Sequence, residues 1–155
     1  RKDGPSLLAL TRQNLPPLRM KALDENLCAR GAYRLCAAEG DRRVVLLATG
    51  SEVALALDVA DALEDEGIGV DVVSMPCWER FDAQPVDYRS DLLPGDALIV
   101  SIEAAATLGW ERYTGRDGLN IGLDRFGASA PAEDLFAHFG FTAEAITPKI
   151  LERLR

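Results

Sequence analysis

The sequence has 155 residues, 48% of them hydrophobic and 27% charged, with 25 acidic against 17 basic side chains and a formal net charge of -8. That composition suits one globular domain with a substantial core, and an acidic balance with no basic run argues against a nucleic-acid or anionic-membrane partner. No apolar stretch is longer than residues 44–48, which have the length of a buried strand and fall far short of the roughly 20 residues a membrane crossing needs.

The chain opens at Arg1 without a methionine or a leader-like pattern and reads as a piece of a longer protein. Residues 6–10 form a short apolar run, and Pro16 and Pro17 follow, where the missing backbone donors stop regular structure. Residues 1–24 are therefore expected to be strand, loop and linker. A short strand is predicted at 31–35 and a polar turn at 39–43. Residues 44–48 are apolar and β-branched, and Thr49-Gly50-Ser51 turns the chain into a helix at 52–66, with Val53, Leu57, Ala60 and Leu63 at helical spacing and Gly67 as its stop. A strand at 70–74 ends at Met75-Pro76, one short helix with a loop fills 79–93, and the Pro94-Gly95-Asp96 turn precedes a strand at 97–102. A helix start at 109–114, a weaker strand at 120–123 and helices at 132–139 and 142–154 complete the order. Short apolar strands alternating with helices predict a three-layer α/β/α domain with a mostly parallel sheet, because parallel strands need crossovers.

The chemistry legible from residue types is sparse. One histidine, His138, lies late in a predicted helix and reads as a surface or packing residue, so no histidine cluster can form within the chain. Thr49-Gly50-Ser51-Glu52 lacks the second glycine of a nucleophile elbow, which argues against serine hydrolysis. Ser51 either caps the following helix or, with Gly50 and Glu52, frames an anion site at its first backbone N–H groups. Arg12 sits in a polar island between an apolar run and a double proline, as an interdomain arginine or as a fork of donors for phosphate. Asp82, Asp87, Asp91, Glu64, Asp65 and Glu66 follow no calcium-loop pattern and read as a solvated acidic face. Glu103 ends a strand, where α/β domains place functional groups, and serves there or as a structural hydrogen-bond partner. Cys28, Cys36 and Cys77 form no CxxC pair; they suit a reducing cytosol and are expected as small core residues.

Five ordered motifs carry more: Thr11-Arg12-Gln13-Asn14-Leu15, Ala48-Thr49-Gly50-Ser51-Glu52-Val53, Ser74-Met75-Pro76, Phe126-Gly127-Ala128-Ser129-Ala130-Pro131 and Phe139-Gly140-Phe141-Thr142. In this order the chain resembles the C-terminal portion of transketolases, homodimeric enzymes that use thiamine diphosphate to move a two-carbon ketol unit between sugar phosphates. The resemblance implies a five-stranded mixed sheet with its first strand antiparallel, a tail of the preceding domain at 1–24 and the C-terminal domain at 25–155. It implies that Arg12 binds the phosphate of the sugar substrate. It places the catalytic histidines and the residues for thiamine diphosphate and Mg2+ or Ca2+ upstream of Arg1, so this stretch is expected to be inactive alone and to bind neither group. Its expected partners are the upstream domains and a second subunit, in the cytoplasm. Two alternatives stand beside this: a nucleotide- or anion-binding regulatory module at the Gly50 turn, and the same domain of another thiamine-diphosphate enzyme. Among the latter, the Arg12 island argues against 2-oxoacid dehydrogenases, and deoxyxylulose-phosphate synthases resemble the third and fourth motifs less well.

Overall fold

The computed structural model describes residues 3–5, 7, 10, 11, 13–19 and 24–155. A 3-10 turn at Leu27–Arg30 leads into β1 (Tyr33–Cys36), and five strands assemble in the order β1-β3-β2-β4-β5. β2 (Arg42–Ala48) is central, β3 (Gly69–Ser74) and β4 (Leu98–Ile102) flank it in parallel, and β5 (Leu119–Ile121) extends the parallel set beyond β4. β1 adds to the far side of β3 in the antiparallel sense, as the resemblance implies. Parallel strands buried on both faces read as continuous hydrophobic runs, and the two-residue period of β2 divides such a run between two cores. Val44, Leu46 and Ala48 face one layer with Val70, Val72, Val100 and Ile102. Val45 and Leu47 face the other with Val73, Met75 and Ile99.

The first layer is covered by α1 (Glu52–Glu64) and α6 (Ala143–Arg153), with α5 (Ala132–Phe139) leading into it. Val53, Ala56, Val59, Ala60 and Leu63 make the buried stripe of α1, whereas Leu57, predicted to share it, is only half-buried. At 100° per residue Leu57 lies about 100° round the helix from Ala56, off the stripe. Past the end of α1, Gly67 takes φ +76°, while Ile68 N–H donates to the Leu63 carbonyl at 3.0 Å and Gly67 N–H to Glu64 at 2.8 Å. That is the left-handed stop its sequence predicts. Thr142 starts α6, its hydroxyl accepting the Ala145 N–H at 3.3 Å.

The second layer holds α2 (Trp78–Asp82), α3 (Val86–Leu92) and α4 (Glu111–Thr114). Where one short helix and a loop are expected over 79–93 there are two helices, because Pro85 removes a donor, pushes its predecessor out of helical geometry and opens α3 from an extended conformation. Phe81, Leu92 and Trp110 are fully buried here, and Trp78 meets Trp110 and Tyr113 edge to face at 5.0 and 5.3 Å. The cysteines expected in the core are elsewhere: Cys28 and Cys36 are exposed and Cys77 half-buried. Their places explain it, since Cys28 lies on the 3-10 turn, Cys36 ends the edge strand β1 and Cys77 precedes α2.

Tyr113 yields a pH prediction. Burial, and secondarily the charge of Asp82, push its phenol from 10.0 up to about 12. A raised folded-state value favours the neutral form, so this contribution to stability is whole below pH 10 and declines as pH rises to about 12. Ultraviolet titration of the three tyrosines should show one ionising last, near pH 12, and Tyr113→Phe should remove that step.

Candidate functional site

Neighbouring strands β2 and β4 send their chains to opposite faces of the sheet, β2 into α1 and β4 into α4. Their carboxyl ends therefore part and leave a crevice, the place where open α/β sheets bind ligands. The turn Thr49-Gly50-Ser51 stands on one side, with Gly50 at φ +58°, and Glu103-Ala104 on the other.

The structure brings the predicted Gly50, Ser51 and Glu52 together at this crevice but revises what Ser51 does. Ser51 already has helical angles, φ -65° and ψ -29°, and makes no side-chain cap. Its hydroxyl instead donates to Glu52 Oε1 at 2.6 Å, while the N–H of Ala104 donates to Glu52 Oε2 at 3.2 Å. Glu52 is 7% exposed, so a carboxylate of the chain's own sits at the positive end of α1 and clamps the β2 turn to the β4 loop. The apolar-plus-polar helix pattern gave no sign that residue 52 would turn inward.

Glu103 takes the structural role among its two readings: its Oε2 accepts the indole N–H of Trp110 at 2.8 Å. It also faces the crevice, which Leu10, Thr11, Gln13, Asn14 and Leu15 approach from above, giving clefts of about 610 and 730 Å³. Arg12, between two of those residues in sequence, lies outside the described residues, as do Ser6, Leu8 and Ala9 of the predicted apolar run. The loops after β4 and β5 are joined alongside: Thr107 N–H and hydroxyl each donate at 2.8 Å to the carboxylate of Asp124, a pairing that sequence spacing did not reveal. Those bonds, the backbone one foremost, hold the Asp124 carboxyl below the usual carboxylate range.

The acidic side chains do not form a merely solvated face. Asp82 pairs with Arg112 at 2.6 Å, Asp91 with Arg34 at 3.1 Å, and Glu64 accepts the Val70 N–H at 2.7 Å. Loop closure across sequence supplies these partners, which periodicity along one element cannot show. Asp65, Glu66 and Asp87 are exposed as expected. His138 is exposed, edge-on to the Phe139 ring at 4.8 Å. Among the described residues no three His, Cys, Asp or Glu side chains gather as metal ligands, and no helix is long and apolar enough to cross a membrane.

The most heavily used polar residue was missed. Asp71, 3% exposed in the middle of β3, meets Arg34 Nε at 2.6 Å and Arg42 at 3.0 Å and accepts the Ala38 N–H at 2.9 Å. Its signal was available: a carboxylate inside an otherwise apolar six-residue strand must be paired.

The family described as the transketolase-like TK C-terminal domain matches residues 31–142. A transketolase of Sinorhizobium medicae is 52% identical over 155 residues, covering 99% of this chain and 22% of that protein. Transketolase from Pichia stipitis, solved in complex with sedoheptulose-7-phosphate, is 36% identical with a TM-score of 0.82 over 92% of this chain and 20% of its own. Transketolase from Leishmania mexicana is 44% identical with a TM-score of 0.75, over 82% of this chain and 18% of its own. The chain thus spans 22% of the length of that bacterial relative.

Proposed function

The chain belongs to the transketolase family, as its C-terminal domain, and on that premise we propose that it completes an enzyme moving a two-carbon ketol unit between ketose and aldose phosphates, with Arg12 as the anchor for the sugar phosphate. The supporting observation is the seating of Thr11, Gln13 and Asn14 over the carboxyl ends of the strands, at the mouth of the crevice. A guanidinium is planar and permanently charged, so it grips phosphate in two places and fixes the distant end of a substrate while the carbonyl end reacts. The relative from Pichia stipitis, solved with a sugar phosphate, favours the same substrate class.

Residues 1–24 in this reading are the tail of a preceding domain. Leu7 at 93%, Leu10 at 79% and Leu15 at 45% exposure are apolar side chains awaiting a cover, which the upstream domains of the same polypeptide would supply. The described residues offer thiamine diphosphate and its divalent metal a poor fit. No metal-ligand group forms among the described residues, and Glu52 sets a negative charge at the helix end that a diphosphate would need. The same carboxylate opposes a nucleotide at the Gly50 turn. We therefore assign the cofactor, and the catalytic step, to the rest of a homodimeric parent. Three free cysteines, two of them exposed, fit the reducing cytoplasm.

The test is ketol transfer in the full-length parent. Arg12→Ala should raise KM for phosphorylated sugars about 10- to 100-fold, the range of a lost charge-assisted contact, and leave non-phosphorylated acceptors little changed. An equal change for both kinds of acceptor would remove Arg12 from the phosphate site.

A further inference from the structure

On the face of the sheet opposite α1, a cavity of about 500 Å³ opens between α2, α3 and α4, lined by Asp82, Val86, Arg89, Ser90, Arg112 and Tyr113 among others. Its charged groups are not equivalent. Asp82 is already engaged, ion-paired with Arg112 at 2.6 Å and accepting from the Tyr113 hydroxyl at 3.2 Å. Arg89, half-buried on the inner side of α3, has no such partner. Its Nε is fully buried without an acceptor, and no described residue pairs with the rest of its guanidinium. Four arginines do hold carboxylates: Arg30 has Glu25, Arg34 and Arg42 share Asp71, and Arg112 has Asp82.

A guanidinium presents five donors in a fixed fork matched to two oxygens of one acceptor group. Leaving Nε withdrawn from water without an acceptor is unfavourable, while the terminal nitrogens stay open to solvent in the cavity, so the side chain is preset for an acceptor from outside the described residues. With Asp82 neutralised by Arg112, the cavity keeps one uncompensated positive charge, and the Ser90 hydroxyl beside it can donate to a further oxygen. Its volume is within the range of about 300–1,000 Å³ common to small-molecule sites.

We propose that this cavity is a site for an oxyanion, phosphate or carboxylate, held by the guanidinium of Arg89 with Arg112 and Ser90 at its rim. The oxyanion is either free in solution or the carboxylate of a side chain elsewhere in the longer protein. This is independent of the sugar-phosphate reading, since the cavity lies across the sheet layer from α1 and takes no residue from the crevice.

Inorganic phosphate is the probe, compared with chloride at equal ionic strength. For the 155-residue chain, phosphate at about ten times its Kd should raise Tm by ~3 °C. The rise should survive Arg12→Ala, which excludes phosphate bound at the sugar site, and vanish in Arg89→Gln. Since Arg89→Gln could disturb α3, the side-chain Nε–H resonance of Arg89, identified by its absence in Arg89→Lys, gives a second readout and should move saturably with phosphate. No rise in the wild type, an equal rise in Arg89→Gln, or an unmoved resonance would overturn the proposal. Repeating the titration in the parent separates the sources: an Arg89-dependent rise there means a free anion. A rise in the chain alone, together with destabilisation of the parent by Arg89→Gln, means a carboxylate of the protein itself.

Discussion

Replacing Asp71 by alanine should lower the unfolding free energy by about 3–5 kcal/mol, the range for removing one partner of a buried ion pair. The carboxylate accepts from Ala38 and Arg42 and forms an ion pair with Arg34 as well, and its side chain is only 4% exposed. Without it, Arg42, 27% exposed, keeps its charge against an apolar strand with only the Asp91 carbonyl, and Arg34, 29% exposed, keeps only the more exposed Asp91, through its carbonyl and carboxylate. The loss would consume a large part of the 5–15 kcal/mol that holds a typical domain together. Asp71→Asn keeps an acceptor for Ala38 but no charge, and should fall between the two. Urea denaturation measures both, and because the pairs are shielded from water the difference should persist in about 0.5 M salt. A loss under about 1 kcal/mol would mean that the arginines are solvated like surface pairs.

Trp110→Ala should be comparably severe, about 3–5 kcal/mol, by the cost of emptying a core aromatic site. Trp110 is 2% exposed, meets Trp78 at 5.0 Å and donates its indole N–H to Glu103 at 2.8 Å. It therefore joins the second core layer to the rim of the crevice. Trp110→Phe separates the two contributions, since it refills most of the volume and deletes only the donor. It should cost about 1–2 kcal/mol, read by thermal unfolding. If phenylalanine proves as damaging as alanine, the hydrogen bond to Glu103, and not the packing, holds α4 in place.

These residues also mark where sequence reading succeeds. Val44, Val45, Leu46 and Leu47 are apolar on both sides of the chain's two-residue period, so a strand covered on both faces was legible, and with it the three layers. Gly67 and Thr142 act through local chemistry and stop and start helices as their types predict. Pro85 carried equally local information, which argues for a break where one helix with a loop was expected. Asp71 and Glu52 were missed for another reason. Apart from Ser51 beside Glu52, their partners lie 29 to 52 residues away in the chain, so their burial is settled only when the strands meet. The crevice was legible as the Gly50 turn, but its closure by Glu52 was not, because a glutamate in a first helical turn is ordinarily solvated. The cysteines failed because a small apolar type says little about which end of an element it occupies.

The two outermost strands have a consequence for assembly. β1 has four residues and changes register between Arg34 and Cys36, and β5 has three. A rim this short and irregular gives a neighbouring chain little unpaired backbone to extend. Copies of this domain are thereby protected from fusing edge to edge into a continuous sheet.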